Sequence, residues 1–207
     1  MKVGVVVEGQ SEFTALPELH PQLCSVTNAA SLRTLHACYD PYSSPGRIVR
    51  SCRSAVRQLA GRKFDLAIVL IDREEQTKSS PRLAAEIEGA FEVANLGIPI
   101  QVVIKDRSFE NWLIADLAAL RQMRKRFHVT AGMTRSVEPD RADRADAFSL
   151  LKRAAKGDAY GKVDDAKRIL EKAQVTRMAA HSRSFRCFLA RLGYPGLQAG
   201  SCTPVFN

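Results

Sequence analysis

The chain has 207 residues, 45% of them apolar, enough to bury one sizeable core as a single domain or as a domain with a small appendage. No apolar run approaches the ~20 residues that a helix needs to cross a bilayer. The charge of +9 and a pI near 9.6 draw polyanions, nucleic acid foremost, although many soluble proteins carry such a surplus with no specific partner.

The five cysteines, Cys24, Cys38, Cys52, Cys187 and Cys202, are odd in number, scattered and free of any Cys-x-x-Cys spacing. Neither a disulfide framework nor a zinc site is suggested, and reduced thiols are expected. Met1-Lys2 leads straight into a strand-like segment, with no signal peptide, so a cytoplasmic location and no membrane partner are expected.

In chain order, Val3 to Val7 is a short β-branched run that predicts a buried strand, and Ser11 opens a helix-like stretch to about Cys24. Leu32 to Tyr39 suits a second strand before the turn-rich Asp40-Pro-Tyr-Ser-Ser-Pro-Gly46, and residues 47 to 61 read as a basic helix ended by Gly61. Asp65 to Ile71 is apolar on both faces, as in a parallel strand covered on each side, and stops at Asp72-Arg-Glu-Glu75. A helix from about Pro81 to Asn95 closes at Gly97, and Ile98 to Ile104 is a fourth strand, halting in charge at Lys105-Asp-Arg107. Phe109 to Met123 predicts a helix, residues 124 to 147 read as a charged, flexible loop, and helices resume near 147–156, 163–174 and 182–191. The expected class is α/β: a mainly parallel four-stranded sheet flanked by helices, one domain over 1–207, with a core at 1–120 and a helical C-terminal extension at 121–207.

Ligand sites of such sheets lie beyond the carboxyl ends of the strands. Glu8 follows the first strand directly with Glu12 one helical turn on, and Asp72 and Glu74 follow the third. If those strands are neighbours, the carboxylates meet in a small volume, where mutual repulsion calls for a neutralising cation. Mg²⁺ suits, because it takes one or two carboxylates together with water and phosphate oxygens. Singly, such acids also serve as helix caps or dipole partners. Glu110, near the start of the helix after the fourth strand, is a further candidate ligand, and Asp116 six residues on cannot squarely share its direction.

These residues have a familiar form. Val-Val-Val-Glu8-Gly9-Gln-Ser11-Glu12 with Ile71-Asp72-Arg-Glu74 resembles the Toprim domain of topoisomerases, primases and old-type nucleases, whose signature is a strand-end Glu-Gly and a later Asp-x-Asp. With Phe109-Glu110-Asn-Trp112-Leu-Ile-Ala-Asp116, Tyr160-Gly-Lys162 and Ser182-Arg-Ser184-Phe185, nearly the whole chain is similar to an uncharacterised bacterial family of stand-alone Toprim-like proteins. The resemblance implies a Toprim/Rossmann-like sheet and a role for Glu8 as general acid, general base or metal ligand. It implies metal binding by Asp72 and Glu74, although the second acid is one methylene longer than the usual aspartate. Lys162 carries interest through this resemblance alone, as a group that stabilises charge on a phosphoryl group. A setting in bacterial phage defence is implied in kind.

Arg47, Arg50, Arg53 and Arg57 would form one stripe on a helix, suited to a phosphate backbone or simply to solvent, and no aromatic side chains are interleaved for stacking. Arg121, Arg124, Lys125 and Arg126 form a denser basic cluster, a second candidate contact for nucleic-acid phosphates. Trp112, among apolar neighbours, reads as core. The four histidines show no ligand spacing, and neither Gly-x-Gly-x-x-Gly nor a Walker lysine motif supports nucleotide binding. Two readings stand: an Mg²⁺- or Mn²⁺-dependent nuclease of DNA or RNA, and a catalytically inactive module that binds nucleic acid or a partner such as an ATPase.

Overall fold

The computed structural model describes residues 1–197. Four strands, β1 (Lys2–Val7), β2 (Ser31–His36), β3 (Leu66–Asp72) and β4 (Ile100–Lys105), form an all-parallel sheet in the order β2-β1-β3-β4. β1 and β3, with 58 residues between them in sequence, are therefore direct neighbours, with Val3 opposite Leu66 and Val6 opposite Val69. Their continuous apolar runs follow from burial on both faces.

Alternation along the strands builds two cores. Val6, Ala67, Val69, Ile71, Val102 and Ile104 pack under helices α3 (Pro45–Gly61) and α4 (Ser80–Ala94). Val3, Val5, Val7, Ile68, Leu70 and Val103 face the other way, toward α1 (Gln10–Ala15), α5 (Phe109–Ile114) and the later helices. Gly4 is required where α3 crosses β1, because a Cβ there would lie 2.2 Å from a Leu59 methyl group.

The expected helix from Ser11 to Cys24 is broken. α1 gives way to a 3₁₀ turn at Leu16–Leu19 and then α2 (His20–Val26), with Pro17 and Pro21 each in the first turn of a new segment. Proline lacks the N–H that would continue the preceding helix. The helix expected over Phe109 to Met123 is likewise two: α5 ends before Asp116, whose carboxylate caps α6 (Leu117–Gln122) by accepting from Ala118 and Ala119 N–H. Asp116 is thus a structural cap, held also by Arg177 at 2.8 Å.

Residues 124 to 147 are not the flexible loop expected. They contain α7 (Ala131–Val137) and a 3₁₀ turn at Ala142–Arg144, anchored by buried Met133, Val137, Ala142 and Ala145. Asn111 donates to the carbonyls of Ala142 and Ala145 from the centre of the fold, and Asp143 accepts from Ser182 and Ser184. Four more helices follow: α8 (Ala147–Ala154), α9 (Asp164–Leu170), α10 (Val175–His181), which the sequence reading passed over, and α11 (Arg183–Arg191). They share the apolar cluster of α1, α5 and the sheet and do not build a core of their own. Trp112 sits at its centre as core, donating its indole N–H to Ser184 at 2.8 Å and packing on Phe185 and Phe188.

Cys24, Cys38 and Cys52 are free thiols. Cys187 is disulfide-bonded, against the expectation of reduced thiols throughout, and Cys202 lies outside the described residues. Among the described residues no helix is long and apolar enough to cross a membrane.

Candidate functional site

The carboxyl ends of β1, β3 and β4 converge on a small group of buried charges. Asp72 ends β3 directly opposite Lys105, which ends β4. The Lys105 side chain is fully buried, with Nζ 2.8 Å from Asp72 Oδ1 and paired also with Glu12 Oε1. Glu12, 2% exposed, reaches this point because α1 starts at the end of β1, and its second oxygen accepts from Gly9 N–H at 2.9 Å. Gly9 leaves room for this return, since a Cβ there would stand 3.0 Å from Glu12 Oε2.

Glu8 and Asp72 line the same cleft, close enough for the Asp72 carboxyl to raise that of Glu8. Two neighbouring carboxyls disfavour each other's ionisation unless a proton or a cation offsets the charge. Burial pushes Glu8 up to about 9; Lys105 opposes this, and Asp72 and Glu12 add to it. Burial also raises Glu12, against the pull of Lys105 and of Gly9 N–H. For Lys105, burial disfavours the charge, but Asp72, Glu12 and Glu8 outweigh it and hold the ammonium well above its ordinary range. Glu8 Oε2 and Asp72 Oδ1 remain buried without an aligned hydrogen-bond partner, the latter held by its ionic contact with Lys105.

A cleft of about 280 Å³ opens over this group, lined by Glu8, Ser11, Glu12, Asp72, Glu110 and Lys162 among others. Glu110 is buried and lies 3.6 Å from Nζ of the exposed Lys162. Glu74 is outside the lining. Its backbone is left-handed (φ 53°), with its N–H donated to Arg107 C=O at 2.8 Å. Its carboxyl is raised by burial first and then by Asp72 and Glu110, with Lys162 and Lys105 opposing.

The strand ends therefore bring together Glu8, Glu12 and Asp72 as expected, with Glu110 and Lys162 on the same cleft and Glu74 beside it. The expected set of five ligands, Glu8, Glu12, Asp72, Glu74 and Glu110, is not assembled around one point: among the described residues no group of three or more His, Cys, Asp or Glu is placed to hold a metal ion. Lys105 supplies one positive charge inside this group, to Glu12 and Asp72. Both Glu12 oxygens are engaged, and Glu110 is paired with Lys162. What remains for an external cation is the Glu8 and Asp72 pair. Lys105 was legible only as a charge at the end of a strand; counting register along β3 and β4 is what sets it against Asp72.

Of the basic candidates, Arg47, Arg50, Arg53 and Arg57 are all exposed on α3, and none pairs with a described carboxylate. Arg124 and Lys125 are also exposed. Arg121 and Arg126 are structural instead: Arg121 bonds Thr134, while Arg126 binds Asp165 and the carbonyls of Lys156, Asp158 and Ala159. Ser182, Ser184 and Arg186 lie in the interior network around Asp140 and Asp143, and Tyr160 is buried.

Fold and site define a parallel α/β protein, helices on both faces, whose polar cleft opens at the carboxyl ends of its two central strands, where such sheets bind ligands. Within that class the chain belongs to the family described as Domain of unknown function (DUF4276), whose model matches residues 7–193, a span that includes every cleft residue named above. No match is found among curated proteins or among solved structures.

Proposed function

We propose that this chain is a Toprim-like, metal-dependent phosphodiesterase that acts on nucleic acid in the cytoplasm. The observation that carries the reading is the Glu8 and Asp72 pair: two carboxyl groups on one cleft at the ends of adjacent parallel strands, with Glu8 Oε2 buried and without a donor and Asp72 held through Oδ1 by Lys105 alone. Two such carboxyl groups beside an open cleft fit one Mg²⁺ or Mn²⁺, which needs few protein ligands when water and substrate phosphate complete its shell. When bound, such an ion would polarise the phosphodiester and make its water a better nucleophile. Lys105 keeps Asp72 and Glu12 in place. Lys162, held at the rim by Glu110, meets the incoming phosphate, and the exposed arginines of α3 attract the strand. Plasmid and transfer RNA incubated with Mg²⁺, Mn²⁺ or chelator test this. Cleavage is expected with metal only and is expected to vanish in Asp72→Ala and Glu8→Gln; cleavage that survives Asp72→Ala would exclude this site.

A second reading is favoured by Lys105 itself. A site whose repulsion is already relieved by an internal ammonium suits a non-catalytic module that binds nucleic acid or an ATPase partner. Absence of cleavage on every substrate, with nucleic-acid binding retained, would select it.

A further inference from the structure

Next to the cleft, on α8, Phe148 is a large apolar side chain left 39% exposed. Nζ of Lys152 and Nζ of Lys162 lie 5.3 and 4.9 Å from its ring centroid, and buried Tyr160 supports it edge-on at 6.1 Å. Lys162 belongs equally to the cleft, through Glu110. A single ammonium thus bridges the exposed ring and the acidic rim, a separation that one nucleotide can span with its own base and phosphate.

An exposed aromatic ring flanked by two ammonium groups has the components of a single-strand site: a π-face for a base and cations for the phosphates on either side. A stacked base would take up the ring face, and the displaced ammonium would gain a charge-assisted bond to phosphate in place of its contact with the ring. In a duplex the bases are already stacked and paired, so a duplex offers this ring nothing except at its ends. The arginine stripe on α3 has no interleaved aromatic residue, and Phe148 supplies one beside the cleft.

We infer that Phe148 is a stacking platform for one unpaired nucleobase, with Lys152 and Lys162 on the flanking phosphates, so that the cleft takes single-stranded nucleic acid. This deepens the phosphodiesterase reading and rests on it. The test is anisotropy of the whole chain in chelator with labelled single-stranded DNA, single-stranded RNA and duplex DNA. Phe148→Ala is expected to weaken single-strand binding roughly 5- to 100-fold, the value of one base–aromatic stack, and to leave duplex binding within about twofold. The DNA and RNA arms identify which strand is preferred. Phe148→Trp is expected to keep the affinity and to place an indole whose fluorescence single strands quench, distinguishable because the one native tryptophan, Trp112, is fully buried. Equal losses on single strand and duplex, no loss, no quenching, or a parent that binds no oligonucleotide would each overturn the inference. Metal-dependent cleavage by the parent alongside any of those results would leave the phosphodiesterase reading standing. Phe148-dependent binding without cleavage would remove the catalytic reading alone.

Discussion

Lys105→Met keeps the length and apolar stem of the side chain and deletes its ammonium, leaving Glu12 and Asp72 buried with no internal cation. Breaking a buried ion pair from one side costs about 3–5 kcal/mol. The carboxylates have an escape, which is to take up a proton. For a carboxyl near its ordinary 4.5, that costs about 3 kcal/mol at pH 7 and under about 1 kcal/mol at pH 5. The expected destabilisation is therefore about 3–5 kcal/mol at pH 7, shrinking to about 1–2 kcal/mol at pH 5. Urea unfolding at several pH values between 5 and 8, in chelator, measures it, and adding Glu12→Gln should recover part of the loss by removing one of the stranded charges. A loss that does not change with pH, or an additive second loss from Glu12→Gln, would mean that Lys105 acts by packing, and the internal-cation account of the cleft would fail.

The Glu8 carboxyl, raised to about 9, is protonated more firmly in the fold than in the unfolded chain, so the parent should lose stability as pH climbs from about 4.5 toward 9. Glu8 remains partly accessible and its neighbours can relax, so we expect a decline of about 2–3 kcal/mol between pH 5 and pH 8 in chelator, flattened in Glu8→Gln. Parallel stability curves for parent and variant would refute this. Replacing Arg47, Arg50, Arg53 and Arg57 by glutamine should leave stability within about 0.5 kcal/mol, because all four are exposed and unpaired with described carboxylates. If the stripe lies along phosphates, the same variant should bind single strands more weakly and show a salt-dependence slope lower by up to about 3, roughly 0.7 for each lost contact. An unchanged slope would return the stripe to ordinary solvated surface.

The strands were legible because their signals are local. Val3 to Val7 and Leu66 to Ile71 are apolar without alternation, which burial on both faces demands, and the observed limits of these two strands fall within one residue of those expected, whereas the mixed second strand, expected to Tyr39, ends at His36. The segment at 124 to 147 was misread because its anchors, Met133, Val137, Ala142 and Ala145, are dispersed among charges and form no sustained face. What orders it is Asn111 and the Asp143 network, from partners 31 to 41 residues away. The two merged helices failed at Pro17, Pro21 and Asp116, where a missing N–H or a capping carboxylate outweighed apolar periodicity.

By itself, then, the amino-acid order determined four strands, their alternation with helices and the presence of acids where strands end, because these depend on side-chain patterns within a few residues. Tertiary structure alone decided that β3 lies beside β1, that β4 delivers Lys105 opposite Asp72, and that Phe148 stands at the rim with Lys162. Charge neutralisation depends on distance in space, and chain segments far apart in sequence set that distance only once the sheet has formed.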